Sequence, residues 1–278
     1  MEKYHLTKEQ VEQYHADGYL IVKKFLSEDE AVILYETAIE DKSLKENSYD
    51  MVDGNGMKSK LALWFTPGDD SFGMLSRSKR MAQSAGQLLG GEVGHFHSKV
   101  MQKEPKVGGA WDWHQDYGYW YRNGFLYPQL ISVMIALTKA NAENGCLQVL
   151  KGSHKMDRIE HGTSGEQVGA DLKRVELAME RHELIHCELE AGDALFFHCN
   201  LLHSSAANLS DHPRWSIISA YNLLTNKPFL EKTISCITPI DLVEDDMILK
   251  VGKKGLGEGD FLTKETDISI EQNKKYAK

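Results

Sequence analysis

The pattern of apolar and polar positions divides the chain near residue 92. Before it, residues 6–17 read as a helix: Thr7 and Gln10 make a capping-box pattern and Gly18 supplies a stop. YLIVKKF (19–25) reads as a short strand. Ser27 and Glu30 repeat the capping pattern ahead of a second helix over 28–41, and a polar, Gly-containing loop follows at 47–59. From 92 onward, short β-branched or aromatic runs alternate with Gly, Pro, Asn and Asp: EVGHFHSKVMQ, AWDWHQDYG, QLISVMIALT, CLQVL, ELIHCELE, DALFFHC and RWSIISAYNLL. Many short strands with turn signals between them predict a β-sandwich or barrel. GTSGEQVG (162–169) reads as a flexible loop before a short helix over 170–181. Its glycines suit either a hinged lid or an ordinary surface loop. Without an internal repeat or a linker, the expected organisation is one domain over 1–278: a helical flank at 1–60, a β core at 92–225 and a charged tail at 241–278.

Composition narrows the class. No apolar run reaches the ~18 residues of a bilayer span, and MEKYHLTKEQ has no apolar stretch of the secretory kind. Cys146, Cys187, Cys199 and Cys236 are scattered with no C-x-x-C pair, which argues against a zinc ribbon or disulfide framework and fits a reducing cytoplasm. A formal charge of −9 disfavours nucleic acid and anionic membranes as partners. The expected partner is a small-molecule substrate; nothing in the chain specifies an oligomeric state.

Candidate chemistry lies in two distant segments, WDWHQDYGYW (111–120) and FFHCNLLHSSAANLSDHPRWS (196–216). H-x-D alone is weak. His15 and Asp17 repeat it on a helix, where positions i and i+2 do not share a face. His186 and Glu188 repeat the spacing in a strand whose apolar face is Ile185, Cys187 and Leu189, so they point to solvent. His114 and Asp116, read as one strand, project to the same side as two adjacent ligands require; a hydrogen-bonded surface pair is the plain alternative. His203 supplies a second imidazole, and His198 has the opposite strand parity. If ANLSDHP (207–213) turns a hairpin, His203 pairs with Arg214 across it. Two imidazoles and one carboxylate suit Fe(II) with open positions. A guanidinium beside them suits bidentate capture of a dicarboxylate. Tyr117, Tyr119, Trp120 and Tyr121 follow the first metal strand and either wall a pocket or pack between elements.

At these residues the chain resembles the phytanoyl-CoA dioxygenase family of Fe(II)/2-oxoglutarate oxygenases, which includes ectoine hydroxylases. The resemblance rests on LTKEQVEQYHADGYLIVKKFLSEDEA, WHQD, NGCLQVLKGSHK and GDALFFHCNLLHSSAANLSDHPRWS, and spans most of 6–225. It implies a double-stranded β-helix, a jelly-roll or cupin-like barrel within a β-rich α+β fold, flanked by N-terminal helices. It makes His114, Asp116 and His203 the iron ligands and assigns 2-oxoglutarate to Arg214 and Ser205, with Lys60 and Gln102 as further contacts. Trp120 falls at an aromatic position of the ectoine enzymes' pocket. Gln129 stands where those enzymes carry an arginine, which argues against ectoine itself. Because Asp116 is present, the site is not of the halogenase type. The implied activity is hydroxylation of a small metabolite using O2, with 2-oxoglutarate decarboxylated to succinate and CO2. The alternatives are a cupin-type metal enzyme without 2-oxoglutarate and a catalytically silent binding protein on the same fold.

Overall fold

A computed structural model describes residues 5–164, 166–230, 237–263 and 266–267. The opening helix, Lys8–Asp17, carries the expected reciprocal cap: Gln10 N–H donates to the Thr7 hydroxyl and Thr7 N–H to the Gln10 side chain. Gly18 closes it at φ +83°, a left-handed conformation that favours glycine. Ser27 and Glu30 cap the helix Glu28–Glu40 in the same way. Two further helices, Ser71–Arg77 and Lys79–Leu89, are capped by Asp70 and Ser78. They occupy a stretch to which the sequence pattern assigns no element.

Among the described residues most strands form two antiparallel sheets, and His161–Ser164 with Gln167–Ala170 form a separate two-stranded one. The larger, of eight strands, runs Tyr19–Val22, Ala194–His198, Leu130–Ala136, Arg214–Leu223, Val93–Lys103, Lys58–Trp64, Tyr49–Val52, with Thr238–Pro239 added beside Val93–Lys103. The smaller runs Leu184–Cys187, Leu147–Leu150, His203–Ser205, Trp111–His114. Strand alternation sorts the larger sheet's side chains into two layers. Ile131, Val133, Ile135, Val100 and Ile217 pack outward on Leu34, Phe72, Met81 and Leu88 of the helices. Met134, Ala136, Met101 and Ile218 pack inward against Leu147, Val149 and Cys187 of the smaller sheet. Each such side chain, fully buried, contributes roughly 1.5–3 kcal/mol, so these two layers dominate the stability. The buried Arg80–Glu30 pair adds orientation more than net energy. Two sheets packed face to face on one apolar layer, with helices outside, make the expected jelly-roll architecture, though among the described residues the strands do not close into a barrel.

Several boundaries differ from expectation. The helical flank ends early, because Tyr49–Val52 and Lys58–Trp64 belong to the larger sheet. The polar stretch 47–59 therefore contains the strand Tyr49–Val52 and the start of the strand Lys58–Trp64. The predicted strand 19–25 stops at Val22 and the helix predicted over 170–181 covers Leu172–Met179. Instead of a loop, His161–Ser164 and Gln167–Ala170 pair as antiparallel strands. The Gln167 side chain pins them to the neighbouring strand by accepting from Asp112 N–H and donating to Ala110 O. Gly165, Cys236 and the tail residues Lys264, Glu265 and 268–278 lie outside the described residues.

Candidate metal centre

His114 ends the strand Trp111–His114, and its Cα partner across the smaller sheet is His203. Asp116 lies not on that strand but at the start of a short helix, Asp116–Trp120. The turn still delivers its carboxylate to the same point. One Asp116 oxygen, Oδ1, lies 3.8 Å from His114 Nε2 and 3.7 Å from His203 Nε2. The three ligand atoms all fall within 4.8 Å of one another, and among the described residues no other group of His, Cys, Asp or Glu meets in this way. The His15/Asp17 and His186/Glu188 pairs form no such group.

Each imidazole is fixed from behind. His114 Nδ1 lies 2.7 Å from Asp112 O and His203 Nδ1 lies 2.8 Å from Leu201 O. A carbonyl only accepts, so both Nδ1 atoms carry the proton and both Nε2 lone pairs face Asp116. The Tyr119 hydroxyl donates to Asp116 Oδ1 at 2.6 Å and the Ser132 hydroxyl to Oδ2 at 2.7 Å, which holds the carboxylate plane. Burial lowers the pKa of His114 well below its ordinary value, with His203 adding to the effect, and burial likewise lowers His203. Burial alone would raise Asp116, but His203, Lys99 and His114 outweigh it and hold the carboxyl below its ordinary range. Two neutral imidazoles and one carboxylate are the donor set of a non-haem Fe(II) centre with open positions.

Arg214 reaches this interior by a different route from the one expected. The segment 206–213 is no simple hairpin turn. It crosses from the smaller sheet to the larger, with Asn208 donating to Lys103 O and His212 O. His203 pairs with His114 and Val149, while Arg214 pairs with Lys103. The buried guanidinium donates to Gly145 O and to the Ser216 hydroxyl; burial lowers its pKa to about 10. Ser205, two residues beyond His203, accepts at 2.7 Å from the ammonium of Lys103, which also donates to Ala206 O at 2.6 Å. Lys103 is fully buried, and burial, then the neighbouring Arg214 charge, lowers its pKa well below the ordinary value. Two buried cations, neither ion-paired among the described residues, make a site for an anion.

Sequence reasoning missed Lys103 and chose its neighbour. Gln102 pairs directly with Trp215 and with Lys60. Paired positions share a face, and Trp215 packs on the helix-side layer while Lys60 is exposed to solvent. Lys60 and Gln102 therefore point away from the site, and Lys99, Met101 and Lys103 point into it. Strand parity counted from an inward residue would have found the two lysines.

A cavity of about 110 Å³ abuts the triad. Tyr119, which bonds Asp116, and Trp111, whose ring centre is 6.5 Å from that of His114, are in its wall. Lys99 also faces it and acts electrostatically on all three triad residues. Trp120 lines it as expected, set edge-on to Phe96. Tyr117 does not: its hydroxyl donates to Phe125 O and its ring is packed with Phe96 and Trp120 in an apolar cluster. Gln129 is exposed, and its carbonyl serves only to accept Leu223 N–H. Glu166, just before the strand Gln167–Ala170, and Leu262 and Asp267 from the tail complete the wall.

The profile of the family "Phytanoyl-CoA dioxygenase (PhyH)" matches residues 6–216. An ectoine dioxygenase of Bordetella parapertussis is 27% identical over 238 residues, covering 80% of this chain and 77% of that protein. An L-proline trans-4-hydroxylase of Streptomyces griseoviridis is 29% identical over 176 residues, 58% of this chain and 66% of that one. The crystal structure of EctD from S. alaskensis in its apoform superposes with a TM-score of 0.70 at 22% identity, covering 86% of this chain and 88% of the other.

Proposed function

The chain belongs to the phytanoyl-CoA dioxygenase family, and from that premise we propose that His114, Asp116 and His203 hold Fe(II), while Arg214, Lys103 and Ser205 receive the distal carboxylate of 2-oxoglutarate. The enzyme is an Fe(II)- and 2-oxoglutarate-dependent dioxygenase that hydroxylates a small-molecule metabolite. One substrate C–H becomes C–OH as O2 and 2-oxoglutarate become succinate and CO2. The bound iron and co-substrate supply the oxidising chemistry. The chain's own residues supply binding, orientation and exclusion of water. Tyr119 and Ser132 hold the Asp116 carboxylate in plane. The backbone carbonyls of Asp112 and Leu201 keep both Nε2 lone pairs directed at the metal. Arg214 and Lys103 neutralise the co-substrate's far end, and Trp120 and Tyr119 wall the substrate side.

The observation that carries this reading is the convergence of the triad with two buried cations reached through Ser205, two residues beyond His203. A cupin-type enzyme without 2-oxoglutarate has no use for those cations. We further take the chain as one domain, since the helix-side core draws on residues from Leu6 to Ile248, and place it in the cytoplasm, in keeping with buried, unpaired Cys146, Cys187 and Cys199. Among the described residues, no helix is long and apolar enough to cross a membrane.

Purified protein with Fe(II), 2-oxoglutarate and ascorbate should release succinate and consume O2. Arg214→Ala should raise the KM for 2-oxoglutarate. No succinate with any substrate, and no response to that substitution, would refute the assignment.

A further inference from the structure

The inward face of the strand Val93–Lys103 carries two lysines, Lys99 and Lys103, ~13 Å apart along the strand. Lys103 stands at the co-substrate end, paired with Arg214 across the sheet. Lys99 pairs with Leu63 and Ile218 of the inner apolar layer and stands in the cavity wall. Its charge acts on His114, Asp116 and His203, which places its ammonium near the metal centre. Among the described residues Lys99 makes no hydrogen bond and no ion pair, and the wall's two acids, Glu166 and Asp267, do not pair with it. Asp116 is the acid on which its charge acts, and in the metal-loaded enzyme that carboxylate is a ligand. The cation at the metal is thus left without a counter-ion of its own.

His97 lies two positions before Lys99 on the same face and lines the same cavity. It is 4% exposed, stands edge-on to Trp120 and makes no hydrogen bond among the described residues. Burial first, then the Lys99 charge, lowers its pKa well below the ordinary value, so the ring is neutral and holds one N–H to donate. Native proteins leave few buried polar groups unpaired, and a ligand beside Lys99 would satisfy this one. Most of the remaining wall is apolar, with Leu61, Leu63, Phe65, Phe96 and Leu262 in it. On the scale of about 10–15 Å³ per water, a cavity of about 110 Å³ takes roughly seven to eleven non-hydrogen atoms.

We propose that the substrate is a small carboxylic acid with an apolar body, and that Lys99 and His97 hold its carboxylate. The ammonium of Lys99 supplies the charge, His97 donates an N–H to the same group, and the body of the molecule packs on the apolar wall. One strand then serves both anions: Lys103 takes the carboxylate of the co-substrate and Lys99 that of the substrate. An analogue without the charge leaves Lys99 facing an apolar cavity unpaired, which is costly. This rests on the oxygenase reading and names the substrate class for that site, with Lys99 and His97 as its specificity-determining residues.

The test is anaerobic calorimetric titration of the enzyme loaded with Fe(II) and 2-oxoglutarate. The probes are L-leucine, L-proline, isocaproate and phenylacetate, each beside its carboxamide. At least one acid should bind, its carboxamide should bind about tenfold more weakly or worse, and the same acid should accelerate succinate release. Lys99→Gln should weaken that acid about tenfold and bring acid and carboxamide close to parity, whereas Lys99→Arg should keep the preference. His97→Phe should weaken the acid more than the carboxamide, and it decides if Lys99→Gln does not fold. Carboxamides binding as tightly as the acids, no acid binding at all, or both Lys99→Gln and His97→Phe keeping the parent's preference would each overturn the proposal. A Lys99→Gln variant that changed iron affinity alone would make Lys99 an electrostatic partner of Asp116 and nothing more. Binding of 2-oxoglutarate, and slow succinate release by the parent enzyme without added substrate, report on the oxygenase reading separately.

Discussion

Replacing Lys103 by Met tests the co-substrate end of the site. The side chain is fully buried, its ammonium is held by Ser205 and Ala206, and Arg214 is its neighbour in the adjoining strand. Burial first, then the Arg214 charge, lowers its pKa well below the ordinary 10.5, so the free protein binds this proton weakly. A carboxylate between the two cations reverses both effects and raises the pKa. Binding of 2-oxoglutarate should therefore take up protons, and affinity should fall as pH rises through the free-state pKa of Lys103. Met keeps most of the volume but removes the charge and the donors. A hydrogen bond to a charged group contributes about 1.5–3 kcal/mol, so the Kd for 2-oxoglutarate should rise about ten- to a hundredfold. Anaerobic calorimetry with Fe(II) present, run in buffers of different ionisation enthalpy, measures both the Kd and the proton uptake. If Lys103→Met bound 2-oxoglutarate as tightly as the parent, with the same proton uptake, Lys103 would be only a strut between the two sheets.

Asp116→Ala should lose iron and hydroxylation together; full activity in that variant would refute the ligand assignment. Tyr119→Phe removes one of the two hydroxyls that fix Asp116 and should weaken iron binding about ten- to a hundredfold with an unchanged melting temperature, read by metal titration and thermal unfolding. His95 and His161, buried, and His198, half-buried, are held in the neutral state, their pKa lowered by burial to about 4 from 6.5. The unfolded chain binds more protons between those values, so stability should be level above pH 6.5 and decline towards pH 4. The loss is at most on the order of 3 kcal/mol per histidine, and chemical denaturation of the metal-free protein at stepped pH measures it.

The triad was legible because residue type and spacing survive an error in local structure. His114 and Asp116 converge although a strand ends at one and a helix begins at the other. The route of Arg214 was not legible, because a run of turn formers looks alike whether it closes a hairpin or crosses between sheets. Here the deciding interaction is Asn208 with Lys103, a partner 105 residues away in sequence. Parity failed at Gln102 because the strand Val93–Lys103 carries polar residues on both faces: His97, Lys99 and Lys103 on one, Ser98 and Gln102 on the other. Polarity alone does not say which face is the interior. The helices at 71–89 and the strands at 49–64 went unread since their partners, the outer face of the larger sheet and its edge, exist only in the fold.

The tail meets the core at a seam separate from the metal. Asp260 accepts from Phe65 and Thr66 N–H, Leu262 N–H donates to Leu63 O, and Asp267 follows beside the cavity. This stretch lies past the segment common to the family and provides no triad residue. It can therefore accumulate substitutions during evolution while the oxidising machinery stays intact. Related enzymes built on one iron centre would then differ in diet by exchanging a short C-terminal strap.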